Sequence, residues 1–119
     1  MHEMSIAASL LELAKEEARR QECSRISKIR VEYGEISGIM PEALRFCLMA
    51  LCAGTEYAEM ELELVKIPLR LRCPLCNHVF GGETKEAQWQ PCPSCGEIFG
   101  HTVEQGTELV LAKLEAYRD

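Results

Sequence analysis

Basic residues are too few in this chain to dominate its surface. Lys and Arg number 13 against 19 Asp and Glu, a formal net charge of −6 and a pI near 5.1. A grip on nucleic acid needs clustered Lys and Arg to displace counterions from phosphates, so no nucleic-acid partner is expected. Long apolar runs are missing too. The stretch Ile6 to Leu13 is short, contains Glu12 and lacks a preceding basic segment, which argues against a secretory leader. Nothing approaches the roughly 18 apolar residues of a membrane span. No Ser/His/Asp set, phosphate loop or open catalytic zinc triad is visible, so the chain is not expected to be an enzyme. Together these absences describe a cytoplasmic protein with reduced thiols and no membrane contact.

Cysteine, by contrast, is plentiful, with seven residues. Four form two matched pairs, Cys73-Pro74-Leu75-Cys76 and Cys92-Pro93-Ser94-Cys95, the second followed by Gly96. Two C-x-x-C turns at this separation read as a tetrathiolate zinc site. Four thiolates close the tetrahedron and leave no position for water or substrate, so Zn(II) there is structural. Iron in a rubredoxin-like site uses the same ligands, which keeps an electron-transfer protein open as an alternative. The segment from Leu69 to Val103 is rich in Pro and Gly and poor in core formers, and a metal cross-link is the natural remedy. Such a site supplies on the order of 10–16 kcal/mol of apparent folding free energy. Gly96 fits a tight knuckle turn. Cys23, Cys47 and Cys52 lack motif spacing and read as small core residues.

Hydrophobic periodicity organises the rest. From Ser5 to about Gln21, Ile6, Leu10, Leu13, Ala14 and Ala18 share a helical face, with Ser5 as N-cap and Glu16 paired to Arg20. Residues 26–33 alternate as a strand with Ile29, Val31 and Tyr33 on one face. Pro41 opens a second helix carrying Leu44, Cys47, Leu48 and Leu51, and Gly54 stops it. Residues 59–65 alternate again. Residues 108–117 fit both periods, and a strand is favoured because a two-stranded sheet is marginal alone. The expectation is an α+β fold: a small three-stranded sheet covered by two helices, with an inserted zinc-ribbon-like four-cysteine module. The domains are then 1–67 plus 105–119, and 68–104.

The chain opens Met1-His2-Glu3-Met4-Ser5. The terminal amine, the amide nitrogen of His2 and its imidazole form two fused chelate rings on one ion. Tetragonal nitrogen ligation of this kind suits Ni(II) or Cu(II). The amide of Glu3 is an alternative to the amine, and its carboxylate a further contact. Against this stands a zinc-ribbon protein–protein adaptor whose first residues bind no nickel.

As a whole the chain resembles the HypA/HybF family of hydrogenase maturation factors. The resemblance rests on the opening Met1 to Ser5, on Val31-Glu32-Tyr33-Gly34-Glu35-Ile36-Ser37 leading to Pro41-Glu42, on Leu44-Arg45-Phe46, and on the two cysteine pairs. It implies a nickel metallochaperone, with His2 and Glu3 at the Ni(II) site and Cys73, Cys76, Cys92 and Cys95 at the Zn(II) site. It also implies a HypB-type GTPase partner, delivery to the large-subunit precursor of [NiFe]-hydrogenase, and urease maturation proteins as further partners. A histidine of the zinc module, His101 ahead of His78, is the candidate for a fourth nickel donor. The state implied is a monomer or homodimer.

Overall fold

The computed structural model describes residues 2–118. By internal contacts the chain divides into two compact units, one holding residues up to Glu32, Ile39–Val65 and Val110 onward, the other Tyr33–Gly38 and Lys66–Leu109.

Helix α1 (Glu3–Arg20) begins two residues before Ser5. His2 occupies the cap position, and its carbonyl accepts the Ile6 N–H at 2.8 Å, so Ser5 is interior rather than the expected cap. Glu3 in the first turn and Arg19 and Arg20 in the last complement the helix dipole. The buried face is Ala7, Leu10, Leu11, Ala14 and Ala18. Ile6 is only half-buried, and Leu13, expected inside, is 54% exposed. Two apolar stripes overlap from Ile6 onward, and the one containing Ala7, Ala14 and Ala18 faces inward, where α2 (Pro41–Cys52) packs. Arg20 pairs with Glu17 at 3.1 Å, not with Glu16.

Pro41 stands in the first turn of α2, where its missing N–H costs nothing. Leu44, Cys47, Leu48 and Cys52 form the buried face of this helix, Leu51 being partly exposed. Arg45 Nη1 donates to the Leu62 carbonyl at 3.1 Å, tying α2 to β2 (Glu61–Ile67). Strand β1 (Arg25–Gly34) supplies the buried Ile26, Ile29 and Val31.

The first sheet has the order β2-β1-β6, with β6 spanning Leu109–Tyr117. Along β1 and β2 the contacts advance together, Lys28 with Glu63 and then the Glu35 N–H with the Ile67 carbonyl, the sense of a parallel pair. Strand β6 runs the other way: the Ser24 N–H meets Tyr117 and the Gly34 N–H meets Glu108. Residues 108–117 thus contribute a strand, and the expected three-stranded sheet is present.

The second unit contains a sheet that periodicity did not foretell. Strand β3 (Leu69–Arg72) lies between β4 (Val79–Gly82) and β5 (Thr102–Gln105), antiparallel to both. Leu69, Leu71, Phe80 and Ala87 pack with Cys73 and Cys92 into a small core joined by Ile36. The segment is therefore less poor in core than its composition suggested, because two of its cysteines are part of that core. Tyr33–Gly38 is held to this unit by Ile36 N–H to the Gly106 carbonyl at 2.8 Å and by Glu35 on Lys66 Nζ at 2.9 Å.

Candidate metal centre

Two turns of the same design bring the four cysteines together. In the first, the Asn77 N–H donates to the Cys73 carbonyl and the Cys73 N–H to the His78 carbonyl, each at 3.0 Å. In the second, the Gly96 N–H donates to Cys92 and the Cys92 N–H to Glu97, each at 2.8 Å. The residue after the second cysteine has positive φ in both, 63° at Asn77 and 84° at Gly96. Gly96 was legible in advance. Asn77 was not, although asparagine tolerates this left-handed region better than most residues.

The sulfurs interleave across the two turns, with Cys73 Sγ 3.5 Å from Cys95 Sγ and Cys76 Sγ 3.6 Å from Cys92 Sγ. All four lie within 4.8 Å of one another. A disulfide would put two sulfurs about 2.05 Å apart, and each of the four is a free cysteine. Metal–sulfur bonds of about 2.3 Å set tetrahedral sulfurs about 3.8 Å apart. The donor set therefore fits one tetrathiolate ion. Cys73 and Cys92 are buried and face the small core, whereas Cys76 and Cys95 are exposed.

Backbone donors prepare the site for anionic sulfur. Burial pushes the Cys92 thiol up, but the Cys95 and Ser94 N–H groups and the neighbouring thiols pull it down further, to about 6. Cys95 feels a backbone N–H at Glu97, yet shares protons with Cys73, Cys76 and Cys92 and is pushed up to about 12. One sulfur of the cluster is thus ready for a cation while another holds its proton.

His78 and His101 both contact Phe80, the first stacked at 6.3 Å and the second edge-on at 4.9 Å between ring centroids. His101 Nε2 also lies 2.8 Å from the Glu97 carbonyl, to which its N–H donates. Both histidines belong to the second unit, whereas His2 and Glu3 belong to the first. His2 is exposed at the head of α1. Glu3 Oε2 accepts the Met40 N–H at 3.4 Å, a contact to the start of α2 that the sequence did not reveal. The amine of Met1 lies outside the described residues. Cys47 and Cys52 are buried on α2, and Cys23 is only partly buried after α1. Among the described residues no helix is long and apolar enough to cross a membrane.

A family model described as hydrogenase/urease nickel incorporation, metallochaperone, matches residues 1–116. The chain is 36% identical over 115 residues to hydrogenase maturation factor HypA of Solidesulfovibrio magneticus, covering 97% of this chain and 98% of that relative. It is 39% identical over 115 residues, at the same coverage, to the HypA of Geobacter sulfurreducens. Among solved structures, the solution structure of the Ni metallochaperone HypA from Helicobacter pylori aligns over the whole of both chains, with a TM-score of 0.68 and 25% identity.

Proposed function

The chain belongs to the HypA family, and from that premise we propose that it is a nickel metallochaperone that binds Ni(II) through His2 and delivers it to the [NiFe]-hydrogenase large subunit. The whole-chain family match carries this reading, and the exposure of His2 at the head of α1 supports it. The imidazole and the backbone nitrogen of His2 are the proposed donors, with the terminal amine, or in its place the amide of Glu3, as the further equatorial nitrogen. Planar nitrogen donors of this kind are what Ni(II) accepts. Copper would bind them too, so supply and partner decide which metal is carried.

Zn(II) is the proposed resident of Cys73, Cys76, Cys92 and Cys95. Bound there it cross-links β3, both turns and the segment before β5, and so holds the second unit together. The work of the protein is exchange rather than turnover. A chelate at a chain end releases its donors one at a time to a thiolate-rich acceptor. A HypB-type GTPase and, in urease-producing cells, urease maturation proteins are the proposed partners, and the cytoplasm the proposed location.

The experiment is a one-residue extension before Met1, compared with the native start. Loss of nickel binding with one zinc retained through chelation supports the reading. Unchanged nickel affinity, or spectra showing nickel held by thiolates, overturns it.

A further inference from the structure

The geometry points to a second, soft-metal site in the first unit, in which Met49, Cys52 and Met60 bind one monovalent ion such as Cu(I). A cavity of about 480 Å³ lies between the end of α2 and β2, lined by Arg45, Leu48, Met49, Cys52, Met60 and Leu62 among others. Three of those side chains end in sulfur. Met49 and Cys52 are three apart on α2 and share a face, and Met60 comes from the residue before β2.

Exposure grades the three. Cys52 is 5% exposed, and Met49 at the rim is 65% exposed. Met60 is partly exposed. Among the described residues the Cys52 thiol has no hydrogen-bond partner. Burial pushes this thiol up and the nearby Lys15 ammonium pulls it back, so it holds its proton at neutral pH. Neither Cys23 nor Cys47 lines the cavity.

Thiolate and thioether donors select Cu(I) over nickel and harder ions. Charge points the same way. One thiolate neutralises a monovalent ion, so filling the site adds no net charge to the cavity. A divalent ion would leave one positive charge there, beside Arg45, which already lines the cavity, and near Lys15. Loading is a simple exchange. The Cys52 S–H bond breaks, a Cu–S bond forms, and one proton leaves to solvent with no change of oxidation state. Arg45 keeps its Nη1 on the Leu62 carbonyl and holds the cavity wall.

The test uses the zinc-loaded full chain under anaerobic conditions, titrated with Cu(I) supplied as its bicinchoninate complex while a zinc dye reports release. Uptake of one Cu(I) with zinc retained is expected. Cys52→Ala should abolish that uptake. The near-isosteric pair Met49→Leu with Met60→Leu, which keeps side-chain size while removing both sulfurs, should weaken it about tenfold or more. Replacing Cys47 should leave it intact. Zinc released in step with copper would place the ion at the four-cysteine cluster and overturn the inference. So would an absence of uptake, or uptake that neither the double variant nor Cys52→Ala alters.

Discussion

Asn77 and Gly96 stand in the same place in the two metal-binding turns. Each follows the second cysteine, donates its N–H to the carbonyl of the first, and holds a positive φ of 63° or 84°. The two turns therefore carry unequal conformational strain, since only one of the pair has a Cβ. A Cβ built on Gly96 meets nothing within 4 Å, so a side chain there is penalised by backbone conformation alone. Gly96→Ala should lower the stability of the zinc-loaded protein by about 1–2 kcal/mol. Asn77→Gly should be neutral to slightly stabilising. Thermal unfolding and zinc loss to a chelator measure both, and an equal loss in the two variants would contradict the argument.

Gly34 is constrained for a different reason. Its added Cβ would stand 2.0 Å from the Gly106 carbonyl carbon and oxygen, and backbone cannot swing aside as a flexible side chain can. Gly34→Ala should therefore destabilise by about 1–3 kcal/mol, as overpacking does, and disturb the Ile36-to-Gly106 hydrogen bond of 2.8 Å. Hydrogen exchange at the Ile36 amide, together with denaturant unfolding, reads both effects.

The pattern of what was legible follows from where side-chain chemistry is unambiguous. Two C-x-x-C turns specify convergent sulfurs whatever surrounds them, and the Ile29/Val31 alternation admits one strand face. In α1 the run Leu10-Leu11-Glu12-Leu13-Ala14 offers two overlapping stripes. Only packing against α2 selects Leu11 over Leu13, and no local rule contains that information. The start of α1 was obscured because Ser5 is the better intrinsic cap, whereas His2 occupies the position with no side-chain cap bond. Strands β3, β4 and β5 are four residues each, too short for periodicity to register. They are assembled by antiparallel pairing of β4 and β5 with β3, which no single strand's alternation encodes.

The choice of stripe in α1 has a direct consequence. Leu11 is 7% exposed and Leu13 is 54% exposed, the same side chain two positions apart. Leu11→Ala should cost about 2–5 kcal/mol, and Leu13→Ala should stay within about 0.5 kcal/mol of the parent. Urea unfolding of the two variants decides it. Equal losses would mean that the helix is rotated from the face described above.

Protonation of the four-cysteine cluster gives a pH dependence with a definite sign. Cys92 is lowered from 9.0 to about 6, so its thiolate adds stability to the metal-free protein above pH 9. That contribution is lost progressively as pH falls through about 6. Cys95 is raised to about 12, so at neutral pH it keeps a proton that metal binding must expel. Zinc added to the reduced, metal-free protein should thus release protons at pH 7, and Cys95→Ser should release fewer than the parent. The melting temperature of the metal-free parent should fall from pH 8 to pH 5 more steeply than that of Cys92→Ser. Parallel profiles would show that the Ser94 and Cys95 N–H groups do not hold Cys92 as an anion.

Nickel at the other end of the chain should answer acid in the same direction for another reason. Amide and imidazole nitrogens bind a metal only after losing protons, so protons and Ni(II) compete for the same atoms. Affinity should fall steadily from pH 8 to pH 6, across the range where histidine side chains ordinarily titrate. His2→Ala should remove the high-affinity site while leaving the zinc content at one, since Cys73, Cys76, Cys92 and Cys95 belong to a separate compact unit. Glu3→Gln keeps an oxygen to accept the Met40 N–H now 3.4 Å away, whereas Glu3→Ala removes it. If seating α1 against the start of α2 is what Glu3 contributes, the Gln variant should bind nickel like the parent and the Ala variant more weakly. Equal weakening in both would assign the role to the negative charge of the carboxylate instead. Isothermal titration with nickel at pH 7, repeated at pH 6 and 8, separates these outcomes.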